Sequence, residues 1–299
     1  MQLGELVQPL IKAMHTDCLA QPYLCTDATG VLVQHPGRCK SGHFWVLVAP
    51  KRHALFQFSM KHDAAAVDRL LPGYTGYVVA DAHSVYDHLY GDGKATEAGC
   101  WSHMRKYVLE AEIEPERLRQ PMACIQALFR IERDLDRAPP LARSRIRQEK
   151  SRPIVESFFA WCEHEREQAL EGSPLYAAIR YATNQRRALE RFLEEPRLPI
   201  HNNISELHLR RGGAEELLVR RHRRGRPRQY SVRIVLASCT MHRIEPWAYL
   251  RDLLCLLPAW PAHRALELAP VSWGTTSARD DVRTKLEANV YRRATLIEG

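Results

Sequence analysis

The chain has 299 residues, 45% of them hydrophobic, and a net charge of +8, which is enough apolar material for a core in one large domain or two smaller ones. No apolar run approaches the length of a membrane span and no charged-then-apolar leader opens the chain, so spanning and secretion are both disfavoured. Eight cysteines are scattered without a CxxC pair, which argues against a zinc ribbon and fits reduced thiols in a cytoplasmic protein.

In chain order, the runs YLCTDATGVLV, HFWVLVAP and ALFQFSM between residues 21 and 60 predict three or four strands. The DATG and HPGRCKSG stretches are short enough to be hairpin connections, so these strands are expected to be antiparallel. KHDAAAVDRLL has helical spacing and stops at Pro72 and Gly73. Tyr77, Val78, Val79 and Ala80 then form a short apolar run that reads as a strand buried on both faces. Following a helix, it is a crossover strand, parallel to an earlier one. A surface helix is expected after Asp81. From about 101 to 220 the pattern is almost wholly helical, with breaks at Pro139-Pro140, Gly172 to Pro174 and Pro196 to Pro199. Two long amphipathic arms there, ESFFAWCEHEREQALE and YAAIRYATNQRRALERFLEE, indicate an insertion into the sheet domain. The segment VRRHRRGRPRQYSVR, residues 219–233, carries seven arginines and no acid, so the rest of the chain is close to neutral. Such a run either grips phosphates or is a solvated loop.

Asp81 puts a charge at the end of a buried strand, which is costly unless the carboxylate is paired or bound to metal. Alternatively its side chain caps the next helix. Asp27 sits in a similar apolar context. If their strands pair in parallel, the two carboxylates converge on one sheet edge, where they would repel unless a cation lay between them. Mg²⁺ takes such oxygen ligands, and a pair of divalent ions serves phosphodiester chemistry. Glu206, in LPIHNNISELHLRR, falls in the first turn of a helix. It is either a third acid or the glutamate of a capping box with Asn203. Cys100 and His103 in CWSHMRKY have a spacing that can share a metal, but no second pair completes four ligands. Arg105 and Lys106 behind them are candidate phosphate contacts, as are Arg210, Arg211, Arg220 and Arg221.

The motifs CTDATG, GYVVADAHSVYDHLY, CWSHMRKY, HNNISELHLR and EPWAYLRDLLCLLPAW, in this order and spacing, resemble the catalytic portion of transposases of the insertion sequence 66 family, over roughly residues 5 to 273. The resemblance implies an α/β, RNase H-like mixed sheet with a large helical insertion and a helical C-terminal part. The corresponding segments are 1–100 and 201–245 for the core, 101–200 for the insertion and 246–299 for the tail. It also implies a DDE triad on Asp27, Asp81 and Glu206 that binds two Mg²⁺ ions, with Mn²⁺ as a substitute. The implied activity is cleavage of DNA to 3′-OH ends and their joining to target DNA. The implied partners are transposon ends and target DNA, a second copy of the chain and accessory proteins encoded by the element; no membrane is involved. Cys100 and His103 then resemble a local structural or DNA-positioning element rather than a zinc site.

The chain departs from that pattern at His201, Leu207 and Ala82-His83, where the family usually has Asp, Arg and Gly-Tyr. It departs further over 212–233, where an arginine-dense stretch replaces an apolar one at preserved length. A shifted reading frame would produce this, and the segment is then expected to be a solvent-facing loop. The chain begins shortly before Asp27, so the family's N-terminal coiled coil, zinc module and helix-turn-helix are expected to be missing. Two other readings stay open at this point: a DNA-binding remnant without chemistry, and an RNase H-like nuclease.

Overall fold

The computed structural model describes residues 3–35, 37–111, 115–211, 219–220 and 231–297. Two short helices, α1 (Leu3–Leu6) and α2 (Gln8–Leu19), precede three strands, β1 (Tyr23–His35), β2 (Arg38–Ala49) and β3 (His53–Ser59). Then come α3 (Ala64–Leu70), β4 (Tyr77–Val79) and β5 (Thr96–Ala98). Six helices follow: α4 (Trp101–Leu109), α5 (Pro115–Asp134), α6 (Pro140–Ile146), α7 (Arg152–Arg166), α8 (Pro174–Asn184) and α9 (Arg186–Glu194). The chain continues through α10 (Asn203–Arg211), the two-residue β6 (Val219–Arg220), α11 (Ser231–Met241), α12 (Pro246–Leu256), α13 (Pro270–Ser277), α14 (Asp280–Ala288) and α15 (Val290–Ile297). The architecture is α/β and rich in helix. Among the described residues no helix is long and apolar enough to cross a membrane. The chain divides into two compact units, Met1–Tyr74 with Ile204–Gly299, and Thr75–Asn203.

In the first unit, β1 pairs antiparallel with β2 and β2 with β3, while β6 pairs parallel with β1. The sheet is therefore mixed. DATG is not a turn: β1 runs straight through it, with Ala28 opposite Trp45 and Gly30 opposite His43. The ladder with β2 gives backbone groups along this stretch their partners, so the chain stays extended through it. The reversal comes later, at Gly37, whose φ of 81° favours a residue without Cβ. From Phe44 to Ala49, β2 is almost wholly buried. Leu10, Met14 and Cys18 form the buried stripe of α2. Helix α11 packs on β3, and Ser238 Oγ accepts from the Ala54 N–H at 3.3 Å.

The arginine segment lies outside the described residues except at its ends. Those ends are regular structure rather than loop. Val219 and Arg220 pair with Val33 and Gln34, because extended backbone beside an open strand completes its hydrogen bonds there. Ser231 opens α11, and its hydroxyl accepts from Gln8 Nε2 at 2.7 Å.

Asp17 of α2 ties down the β2–β3 corner. Its carboxylate takes two hydrogen bonds from Arg52, at 2.6 and 2.8 Å, and one from His53 Nε2 at 3.0 Å. Burial pushes the His53 imidazole down to about 4, although Asp17 pulls the other way. The unfolded chain takes up a proton near pH 6.5 and the folded chain only near pH 4. Stability is therefore whole above pH 6.5 and falls as pH drops from 6.5 towards 4. Between pH 7 and pH 5 the His53 contribution to the urea-unfolding free energy is expected to fall by about 2 kcal/mol. His53→Gln, which takes up no proton, should lack that component of the fall. Equal falls in the two proteins would show that His53 does not titrate this way.

In the second unit, β4 and β5 pair in parallel, from Tyr77 opposite Thr96 to Val79 opposite Ala98. The helix expected after Asp81 is only a 3-10 turn, Ser84–Leu89. Gly91 and Gly93 at φ 142° and 70° turn the chain away before a longer helix can form. The helical breaks fall at the expected prolines: α6 and α8 start at Pro140 and Pro174, and Ser173 Oγ caps α8 by accepting from the Tyr176 N–H. Trp101, fully buried, stands edge-on to Phe158 and Phe192 with ring centroids 5.2 and 6.5 Å away. Each such ring stabilises the core by roughly 1.5–3 kcal/mol through burial. Between α6 and α7 one wider helical turn, Arg147–Ser151, aims Arg147 into the same core.

Candidate active site

In the first unit, Asp27 lies in mid-strand, opposite Val46. Side chains alternate along β1: Thr26 is buried, its hydroxyl donating to the Val46 carbonyl at 2.9 Å, whereas Asp27 is half-buried. The Ala28 N–H donates to Asp27 Oδ1 at 2.8 Å. Glu206 sits in the first turn of α10, where the helix dipole favours a negative charge. Its Oε2 accepts from Arg210 Nη2 at 3.3 Å, and the Arg210 side chain is 81% exposed. An exposed i,i+4 pair contributes only about 0.3–0.5 kcal/mol, so a ligand can displace it at little cost. Both Asn203 groups that a capping box would use are taken up elsewhere. The N–H donates to His201 Nδ1 at 3.4 Å, and Oδ1 accepts from Ser102 Oγ at 2.7 Å.

In the second unit, Asp81 is half-buried just past β4. It does not cap the turn that follows. That role belongs to His83, whose Nδ1 accepts from the Val85 N–H at 3.1 Å. The residues sensing the Asp81 charge went unnoticed in the sequence. Burial above all, and then neighbouring groups including Asp81, push the phenols of Tyr90 and Tyr181 well up. Both hydroxyls are buried and make no hydrogen bond among the described residues. Burial likewise raises Glu97 of β5, against opposing contributions from Gln185 and Arg191. Asp81 thus borders a poorly solvated patch, in which electrostatic interactions are strengthened.

The CWSH motif joins the start of α4 to the segment ahead of α10. Trp101 N–H donates to the Ile200 carbonyl at 2.8 Å, and Cys100 Sγ accepts from the Asn202 N–H at 3.2 Å. Just before it, Gly99 N–H donates to the Ala188 carbonyl at 2.8 Å. A Cβ on Gly99 would stand 2.9 Å from the Leu189 nitrogen, so only glycine allows that approach. Cys100 is fully buried and already accepts a hydrogen bond, while His103 is half-buried on α4.

Arg105 and Lys106 are exposed on α4, and Lys106 Nζ lies 3.9 Å from Glu110. The side chains of Arg211 and Arg220 and the whole of Arg221 lie outside the described residues. Three carboxylates are the right donor chemistry for a hard divalent ion. Among the described residues, however, no three His, Cys, Asp or Glu side chains are grouped so as to hold one. Asp27 and Glu206 belong to one unit and Asp81 to the other.

A family model described as "Transposase IS66 family" matches residues 1–213. Two proteins of Sinorhizobium fredii (strain NBRC 101917 / NGR234) are similar to the chain. The uncharacterized protein y4qI is 29% identical over 231 residues, which cover 72% of this chain and 42% of y4qI. The uncharacterized protein y4hP is 26% identical over 300 residues, 91% of this chain and 54% of y4hP. The chain spans about half the length of these curated relatives.

Proposed function

The chain belongs to the IS66 transposase family, and from that premise we propose that it carries a DDE centre for cutting and joining DNA. Asp27, Asp81 and Glu206 are the carboxylates that would hold divalent ions, Mg²⁺ or in its place Mn²⁺. Such ions activate the attacking water or 3′-hydroxyl and stabilise the leaving oxygen. The protein's own part is to present the three side chains and to hold the DNA backbone. In this reading residues 101–200 are the helical insertion between the second and third acids. Arg105, Lys106, Arg210, Arg211, Arg220 and Arg221 contact phosphates, and Cys100 with His103 positions the helix that carries Arg105. The observation that carries the proposal is the family match, which runs through all three acids. The relief of Asp81 from capping supports it.

A second reading is DNA binding without chemistry, in which exposed arginines such as Arg210 contact phosphates and no ion is held. Supercoiled plasmid incubated with the purified chain and Mg²⁺, Mn²⁺ or EDTA separates the readings. Ion-dependent nicking followed by joined products supports the transposase, and nicking without joining points to a nuclease. Retention of DNA with no cut in any ion supports the second reading.

A further inference from the structure

Within the second unit, α4 and α5 border an open cleft of about 420 Å³, lined by Ser102, Arg105, Gln126, Phe129, Arg130, Arg133 and Asn203. That size suits a group as large as a nucleotide. Three of the seven residues are arginines and none is acidic. Gln126, Arg130 and Arg133 recur at helical spacing on one face of α5, and Ser102 and Arg105 do so on α4. Several other arginines of this unit are neutralised, Arg117 by Glu165, Arg119 by Glu116, Arg147 by Glu132 and Arg186 by Glu163 and Glu190, while Arg166 and Arg180 stand exposed outside the cleft. Among the described residues, Arg105, Arg130 and Arg133 form no ion pair, and the nearby Glu132 is spent on Arg147. Like charges one turn apart on a helix repel, and an anion in the cleft would relieve that repulsion. Because Ser102 Oγ donates to Asn203 Oδ1, the amide nitrogen of Asn203 is left to donate. The lining therefore presents guanidinium and amide donors to a ligand that only accepts, which is the chemistry of a phosphodiester.

We propose that this cleft is a phosphodiester-binding site that holds the DNA backbone on the helical unit, with Arg105, Arg130 and Arg133 as its charged contacts. The proposal rests on the reading of the chain as a transposase, and it adds Arg130 and Arg133 of α5 to Arg105 as contacts to one stretch of DNA backbone. Readout should be blind to sequence and sensitive to salt. The test measures binding of the whole chain to a fluorescent duplex of arbitrary sequence across a salt series. Arg105→Gln/Arg130→Gln/Arg133→Gln is compared with Arg119→Gln/Arg166→Gln/Arg180→Gln, which removes the same charge from exposed positions outside the cleft. Each phosphate contact contributes about −0.9 to the slope of log K against log salt. The cleft variant should therefore flatten the slope by about 2 to 3 and weaken binding about tenfold or more at low salt. The control should change both far less. Equal losses in the two variants, or an unchanged cleft variant, would overturn the proposal while leaving the transposase reading in place. A chain that binds no DNA at all would overturn both.

Discussion

Asp81→Asn is expected to lower ion-dependent plasmid nicking by roughly a thousandfold or more, since several kcal/mol of transition-state stabilisation depend on the ligand charge. The amide keeps the shape of the side chain and loses only that charge. Asp81 caps nothing, as His83 supplies the acceptor for the turn, so the fold should be indifferent to the change. A half-buried side chain without a structural partner of this kind costs within about 0.5 kcal/mol when replaced. In the proposed centre the change removes a negative charge near phosphates, so DNA affinity should be retained or slightly improved. Asp87→Asn, an exposed acid in the same short turn, serves as the control and should nick at the parental rate. If Asp81→Asn nicked as fast as the parent, Asp81 would have no part in the chemistry. If the Asp87→Asn control lost as much, the loss would reflect the turn rather than the carboxylate.

Arg147→Ala should unfold much of the helical unit. The guanidinium is wholly buried and grips Glu132 with two bonds of 2.7 and 2.6 Å. It also donates to the carbonyls of Phe192, Glu195 and Leu198, at 2.6, 3.2 and 2.8 Å. Its carbon lies 5.1 Å from the centre of the Phe192 ring. One side chain thus ties α5 and the turn before α7 to the end of α9. Truncation strands Glu132, only 13% exposed, together with buried carbonyls. Breaking a buried pair from one side costs about 3–5 kcal/mol, against a typical total stability of about 5–15 kcal/mol. Urea unfolding and limited proteolysis within residues 75–203 would register the loss. Arg147→Lys keeps the charge but not the planar fork and should recover less than half. The double variant Arg147→Met/Glu132→Met should recover more, since apolar packing can replace a buried pair. A loss below about 1 kcal/mol in Arg147→Ala, the range of an exposed pair, would show that the hub is not structural.

Local signals were enough to determine much of this protein. Alternation and apolar runs located the strands from 23 to 59 and the strand before Asp81. Prolines and glycines marked where helices break, as at Pro140 and Pro174. Five short motifs pointed to the family that the match over residues 1–213 shows. These signals are legible because each is carried by neighbours within a few positions, where hydrogen-bond geometry and side-chain period act directly. Weaker local signals were passed over: the Leu10, Met14 and Cys18 stripe of α2, and β5, only three residues long.

The tertiary structure decided what depends on partners far along the chain. DATG has the composition of a turn, yet the ladder with β2 makes it strand. Asp81 and His83 are both able to cap, and backbone geometry chose His83. Cys100 accepts its hydrogen bond from Asn202, far along the chain, a partner that the local CxxH spacing does not show. Arg147 is one arginine among many in RSRIRQEK until packing closes over it, and Arg105 meets Arg130 and Arg133 only because α4 lies beside α5. In each case the residue's own chemistry permits several uses. Burial and the nearest unpaired donor or acceptor select one, and those are set by the folded arrangement rather than by the adjacent sequence.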